Sequence, residues 1–277
     1  MSDPGFEAKP VGASLGLIAA AGLTPLLVAR EARATGWCVH AFATEESFDL
    51  TGEVDRVIHI RLGEAMEILS YLIRERIGAL VLAGKLSKVR LFESPLPDPV
   101  GVGASDWGDR TLLEHAVTLL ETQGIRLLDQ RQFLGPWLAK AGPLTSRRPS
   151  ASQEAEIQRG FTLARQLARL GVGQTVVLKR GVVLAAEAVE ATDEAISRGC
   201  RLGGPGAVVV KAVAEDHDFR FDVPAIGPRT IEALAEGQAA VLAVEASRAL
   251  VLEPELTISR AERLGLCLVG REDERHA

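Results

Sequence analysis

Short, nearly unbroken apolar runs alternate with amphipathic stretches through the first third of the chain, and this alternation restricts the fold more than any other feature. Ser14–Ala20, Trp37–Ala43, Arg56–Ile60 and Ala79–Ala83 read as strands. Leu26–Thr35 and Glu64–Arg76 between them read as helices, the second with Met66, Leu69, Leu72 and Ile73 predicted on one apolar face. A strand apolar on both faces must be covered on both, and helices that cross between successive strands leave those strands parallel. The pattern predicts an N-terminal Rossmann-like parallel-sheet domain. Thr24 is placed to cap the first helix, Pro25 takes its first position and Gly36 stops it.

The second half reads differently. Ala141–Ser150 carries Pro and Gly around a basic pair and reads as a linker, so domains are expected over 1–143 and 144–277. Ser152–Leu170 is a helical pattern stopped by Gly171. Thr175–Leu178 and Val182–Ala186 flank Lys179-Arg180-Gly181 as a hairpin. An antiparallel pair followed by further strands and helices predicts a C-terminal mixed α/β domain, and the class overall is α/β. A long loop is expected over 86–107, where Pro, Gly and Ser are frequent.

Composition excludes several classes. A net charge of -6 over 277 residues offers no basic face for nucleic acid, so no nucleic-acid partner is expected. Cys38, Cys200 and Cys267 lie far apart and read as reduced thiols of a cytoplasmic protein. Met1–Pro10 lacks the basic and apolar segments of a secretory leader. No apolar run approaches the roughly 20 residues needed to cross a bilayer, so any membrane contact is peripheral. Gly16 and Gly22 do not form Gly-x-Gly-x-x-Gly, and nothing licenses NAD or FAD. The turn from Gly22 to Pro25 still opens a helix whose N-terminus favours anions, and Lys85 follows a strand end; both are candidates for nucleotide or phosphate contact.

Chemistry concentrates where Val208-Val209-Val210-Lys211 gives way to Asp216-His217-Asp218-Phe219-Arg220-Phe221-Asp222. Acids also gather at Glu187, Glu190 and Asp193, beside Thr192, and at Glu245. Strand ends of this kind can converge on one crevice, where clustered carboxylates suit Mg²⁺. Lys211 and Arg220 would then complement phosphate, the arginine through its two-pronged guanidinium. His217 among acids has its protonated form favoured and suits a general acid. Taken singly, each residue also has an ordinary role as a solvated group or a helix cap.

Asp218-Phe219-Arg220-Phe221-Asp222-Val223-Pro224-Ala225-Ile226-Gly227 resembles the LpxI family, the UDP-2,3-diacylglucosamine pyrophosphatases of lipid A biosynthesis. Agreement extends to Leu15–Ala19 with Gly22 and Pro25, Ala83-Gly84-Lys85, Gly171–Gln174, Ala186–Asp193 and Leu242–Ala246. The resemblance implies hydrolysis of UDP-2,3-diacylglucosamine to UMP and 2,3-diacylglucosamine 1-phosphate, Mg²⁺ dependence and a lipid site between two domains. It implies an essential aspartate at Asp222 or Asp218, with Asp222 preferred. Asp222, Asp218 and Glu190 are the expected metal ligands, and Glu187, Glu190, Thr192, Asp193 and Glu245 join Gly22, Pro25 and Lys85 as substrate contacts. A lipid-linked UDP-sugar would be met at the inner-leaflet surface of the membrane; homodimerisation stays open. Ala214-Glu215 stands where the family commonly has Lys-Pro, which loses a cation beside the phosphate. A binding protein without turnover, or the same chemistry on another nucleotide sugar, therefore remains an alternative.

Overall fold

The computed structural model describes residues 12–61, 64–85 and 109–272, so the loop expected over 86–107 and the stretch Met1–Pro10 lie outside the described residues. The chain forms two compact units, one of Ser2–Leu134 with Asp218–Asp222, the other of Gly135–His217 with Val223–Ala277. The division falls at 134/135, before the expected 143/144, because Gly142–Pro143 already pairs with Val269 and Gly270 in the second sheet.

The first unit is a five-stranded, wholly parallel sheet. Its strands are β1 (Ser14–Ala19), β2 (Cys38–Ala43), β3 (Arg56–His59), β4 (Ala79–Ala83) and β5 (Arg126–Leu127), in the order β3-β2-β1-β4-β5. The chain runs outward from β1 in one direction and then returns to its other side as β4. In open parallel sheets such a reversal marks the edge where ligands usually bind, here beyond the carboxyl ends of β1 and β4. Helix α1 (Thr24–Ala34) starts with Pro25 in its first turn, as the sequence predicts, but Leu23 is the cap residue and Thr24 makes no capping hydrogen bond. On α2 (Ala65–Arg74), Leu69 and Leu72 are buried while Met66 and Ile73 are exposed, so the apolar face is narrower than expected. α3 (Asp109–Thr122) precedes β5 and the one-turn α4 (Arg131–Leu134) follows it.

The second unit holds a mixed six-stranded sheet of β6 (Gly142–Pro143), β7 (Thr175–Lys179), β8 (Val182–Ala186), β9 (Val208–Lys211), β11 (Val241–Glu245) and β13 (Cys267–Arg271), in the order β6-β13-β11-β9-β7-β8. Helix α5 (Ala151–Arg169) begins with a capping box in which Ser150 and Gln153 satisfy each other's backbone N–H. Successive side chains of a strand face opposite ways. Val176, Leu178, Val208 and Val210 accordingly pack against Ile157, Phe161 and Ala164 of α5. Val177, Val209, Leu242 and Val244 pack on the other side against α6 (Thr192–Gly203), α7 (Pro228–Glu236) and α8 (Pro254–Arg263). The hairpin turns on Arg180 (φ 52°) and Gly181 (φ 75°), both left-handed, the geometry that matches strand twist in a two-residue loop. A small parallel pair, β10 (Ala225–Ile226) with β12 (Leu250–Val251), completes the unit. No helix among the described residues is long and apolar enough to cross a membrane.

Candidate active site

The acidic loop makes a tight turn over Phe219–Phe221, closed by the Phe221 N–H on the Asp218 carbonyl at 3.2 Å. Phe219 is buried, and Phe221 packs against the cluster of Phe42, Leu72, Leu80 and Leu127 in the first unit. Asp218, Arg220 and Asp222, before, between and after them, stay accessible, Asp222 most of all. Burying one aromatic side chain is worth roughly 2 kcal/mol, so the two phenylalanines supply the energy that seats the loop. Both Asp218 oxygens accept from Arg220, Nε at 3.0 and 3.1 Å and Nη2 at 2.7 Å, and Oδ1 also accepts the Arg220 backbone N–H at 3.0 Å. The hydrogen bond it donates to Asp218 holds the Arg220 guanidinium pKa above its ordinary value. Arg220 Nη1 makes no hydrogen bond among the described residues, which leaves that edge of a permanently charged fork to meet an anion.

The loop lies against Gln130, directly after β5, and so at the carboxyl edge of the parallel sheet. Gly22 and Lys85 stand at the same edge, after β1 and β4. The two strand ends approach closely: Lys85 donates its N–H to the Ala21 carbonyl at 2.8 Å, and Gly22 bridges to Ser47. Gly84 (φ 95°) makes this approach possible, since a Cβ there would sit 2.7 Å from the Ala21 oxygen. Lys85 is exposed.

In the second unit the expected cluster resolves into internal struts. Lys211 is only 4% exposed, a correction to its expected place facing phosphate. Its Nζ donates to Thr192 Oγ1 at 2.8 Å and to Thr175 Oγ1 at 3.4 Å, and stands 3.7 Å from Glu187. Thr192 Oγ1 in turn donates a hydrogen bond to Glu187 Oε1 at 2.9 Å. Burial pushes the Glu187 carboxyl up, but Lys211, Thr175, Thr192 and the Gln174 N–H together bring it below the usual carboxylate range. Glu245, 2% exposed, is likewise committed. It accepts from Arg165 Nε at 2.8 Å and from the Val213 N–H at 2.9 Å, and pairs with Arg248 at 3.5 Å. Arg248 in turn donates to the Ala214 carbonyl at 2.5 Å. Glu187 after the edge strand β8, Thr192 at the start of α6 and Glu245 at the end of the central strand β11 thus serve the protein's own polar groups.

Glu190 is engaged by Arg198 and by the Ala188 N–H, and Asp193 accepts from Thr230 at 3.2 Å. His217 is half-buried, its N–H on the Ala214 carbonyl at 3.2 Å. The expected metal trio is divided: Asp218 and Asp222 belong to one unit and Glu190 to the other. Among the described residues no three of His, Cys, Asp and Glu stand together as a metal-holding group. A groove of about 810 Å³ in the second unit sets Arg165, Arg169 and Arg271 against Glu154, Glu215, Asp216 and Glu272, a balanced lining that favours neither charge. Ala191, just before α6, has φ 73° and ψ 172°, a region in which glycine is almost alone.

Sequence reasoning missed Asp129, Gln130 and Arg131, which hold the acidic loop, and Arg165 and Arg248, which neutralise Glu245. Only the position of Asp129-Gln130-Arg131 just after a strand could have pointed to them.

Fold and loop together define a two-unit α/β protein that presents an acid, an arginine and a second acid at the carboxyl edge of a parallel sheet, where proteins of this class bind ligands. The family model of the LpxI N-terminal domain matches residues 14–137, and that of the LpxI C-terminal domain matches residues 140–269. The chain belongs to the LpxI family. It is 29% identical over 275 residues, covering 92% of this chain and 96% of the relative, to the UDP-2,3-diacylglucosamine pyrophosphatase LpxI of Caulobacter vibrioides.

Proposed function

We propose that this chain hydrolyses the pyrophosphate of UDP-2,3-diacylglucosamine, a step of lipid A biosynthesis, to UMP and 2,3-diacylglucosamine 1-phosphate. The observation that carries the reading is the Asp218–Asp222 loop, whose phenylalanines are seated while Asp218, Arg220 and Asp222 remain accessible. Family membership supplies the substrate.

Water attack forms a new P–O bond at one phosphorus, and the bridging oxygen leaves with the other phosphate. Arg220, oriented by Asp218, offsets phosphate charge as it shifts onto the leaving oxygen. Asp222 orients the water and takes its proton. Mg²⁺ usually binds one or two protein carboxylates and completes its shell with substrate phosphate and water. Exposed Asp222 fits that requirement; Asp218, with both oxygens on Arg220, and Glu190, tied to Arg198, fit it less well. Bound Mg²⁺ would supply Lewis-acid polarisation of the phosphoryl oxygens. Gly22 to Pro25 and Lys85, at the same sheet edge, are the groups we assign to nucleotide phosphate. A two-chain lipid substrate would be met at a membrane surface, so the protein would act there peripherally.

The test is UMP release from the lipid-linked substrate with and without Mg²⁺. Asp222→Ala is expected to lose activity at least about 100-fold, and Arg220→Lys to lose part of it. No release by the wild-type chain, or full activity in Asp222→Ala combined with Asp218→Ala, refutes the reading.

A further inference from the structure

We propose that Arg131 is a positioning residue that sets the direction in which Asp218, Arg220 and Asp222 face; the inference rests on the reading that this loop carries the chemistry. The Arg131 guanidinium lies 3.6 Å from the centroid of the Phe219 ring. Its plane is fixed from behind by Asp129, which accepts Nε at 3.0 Å, Nη2 at 2.6 Å and the Arg131 backbone N–H at 2.8 Å. Gln130 between them is 2% exposed, and donates its backbone N–H to the Phe219 carbonyl and its side-chain amide to the Arg220 carbonyl, both at 3.4 Å.

Three consecutive residues after β5 therefore grip the loop by one ring and two carbonyls. The Gln130 hydrogen bonds are long and weak, so the stacked ring is the firmer hold. Phe219 stands between Asp218 and Arg220 in a turn closed by the Phe221 N–H on the Asp218 carbonyl, so the seat of its ring fixes the turn that carries both neighbours. If the ring leaves its seat, Asp218 and Arg220 turn with it, and Asp222 three residues on loses its reference. Arg131 is covered by Phe219 and held by Asp129, so it acts through the loop and does not need to touch substrate. The contact depends on a flat cation: a lysine keeps the charge but has no plane to lay on the ring.

Arg131→Lys and Arg131→Met in the full chain test this. Two readouts are needed: kcat and KM for UMP release, and hydrogen exchange resolved to the 218–222 segment. The expected result is a fall in kcat of about tenfold in both variants with a smaller rise in KM of about threefold, because the acids are misaimed and Arg220, one of the phosphate contacts, turns with them. The 218–222 amides should exchange about tenfold faster while those of β1 and β4 keep their protection. Asp129→Asn should move both readouts the same way by less. Unchanged loop exchange, or faster exchange with kcat unchanged, overturns the proposal. So does loss of protection throughout the first unit, which would make Arg131 a stability residue only. A wild-type chain that releases no UMP refutes the proposed activity instead, and loop exchange alone then decides whether Arg131 holds the loop.

Discussion

Removing the buried cation in Lys211→Met puts the internal strut of the second unit to a quantitative test. At 3.7 Å, Lys211 and Glu187 attract by about 4 kcal/mol at the effective dielectric of about 20 that suits protein sites. That gross figure is offset by the cost of desolvating both groups, but the cost for Glu187 stays in the variant because its carboxylate remains buried. Breaking one side of a buried pair typically costs about 3–5 kcal/mol, so about 3 kcal/mol is expected here, where two threonine hydroxyls and a backbone N–H still serve Glu187. Two compact units make a single unfolding free energy ill-defined, so the assay is native-state hydrogen exchange at the amides of β7 and β9. Protection there should fall about 100-fold, and Lys211→Met with Glu187→Gln should recover more than half of the loss. The pH dependence has a fixed sign. In the wild type the Glu187 carboxyl lies below its usual value of 4.5, so its contribution is complete above that pH and disappears as pH falls through the folded value. Without Lys211, burial is less opposed and the carboxyl moves up. Protonation then relieves the variant, and its deficit should shrink between pH 7 and pH 5. A loss below about fivefold, or a double variant no better protected than the single, would show that the pair carries no coupling.

Gly84→Ala would place a Cβ within 2.9 Å of three backbone atoms of Ala20 and Ala21 at a left-handed φ of 95°; native-state hydrogen exchange at the amides of β1 and β4 should show protection lost by at least about tenfold. Ala191→Gly releases a non-glycine residue from φ 73°, ψ 172°, and should stabilise the chain by about 1 kcal/mol after the extra chain entropy of glycine is subtracted. A lower melting temperature would refute it. Glu245→Gln leaves Arg165 and Arg248 without their shared countercharge and should cost about 3 kcal/mol, with faster exchange at Val213–Glu215 as its local signature.

The elements themselves could be read from the chain because their causes are local. Ala79–Ala83 is apolar at every position and became a strand in the middle of a parallel sheet; Ser150 with Gln153 and Lys179-Arg180-Gly181-Val182 specify a helix start and a tight turn within a few residues. Lys211 misled, since a charged residue ending a β-branched strand looks the same whether it opens onto a cleft or lies beneath a helix. Glu245 misled for the same reason.

By itself the sequence determined most of the secondary structure and the change from parallel to mixed sheet, and it marked the acidic loop as the candidate site. Tertiary structure alone decided that this loop seats its phenylalanines in the first unit although its neighbours in the chain belong to the second. It also decided that Arg131, about 90 residues away, covers one of those rings, and that Lys211, Glu187 and Glu245 neutralise internal partners. The physical reason is range. Periodicity, caps and turns are fixed by residues a few positions apart, whereas burial and charge pairing depend on surfaces that meet only after the chain has folded.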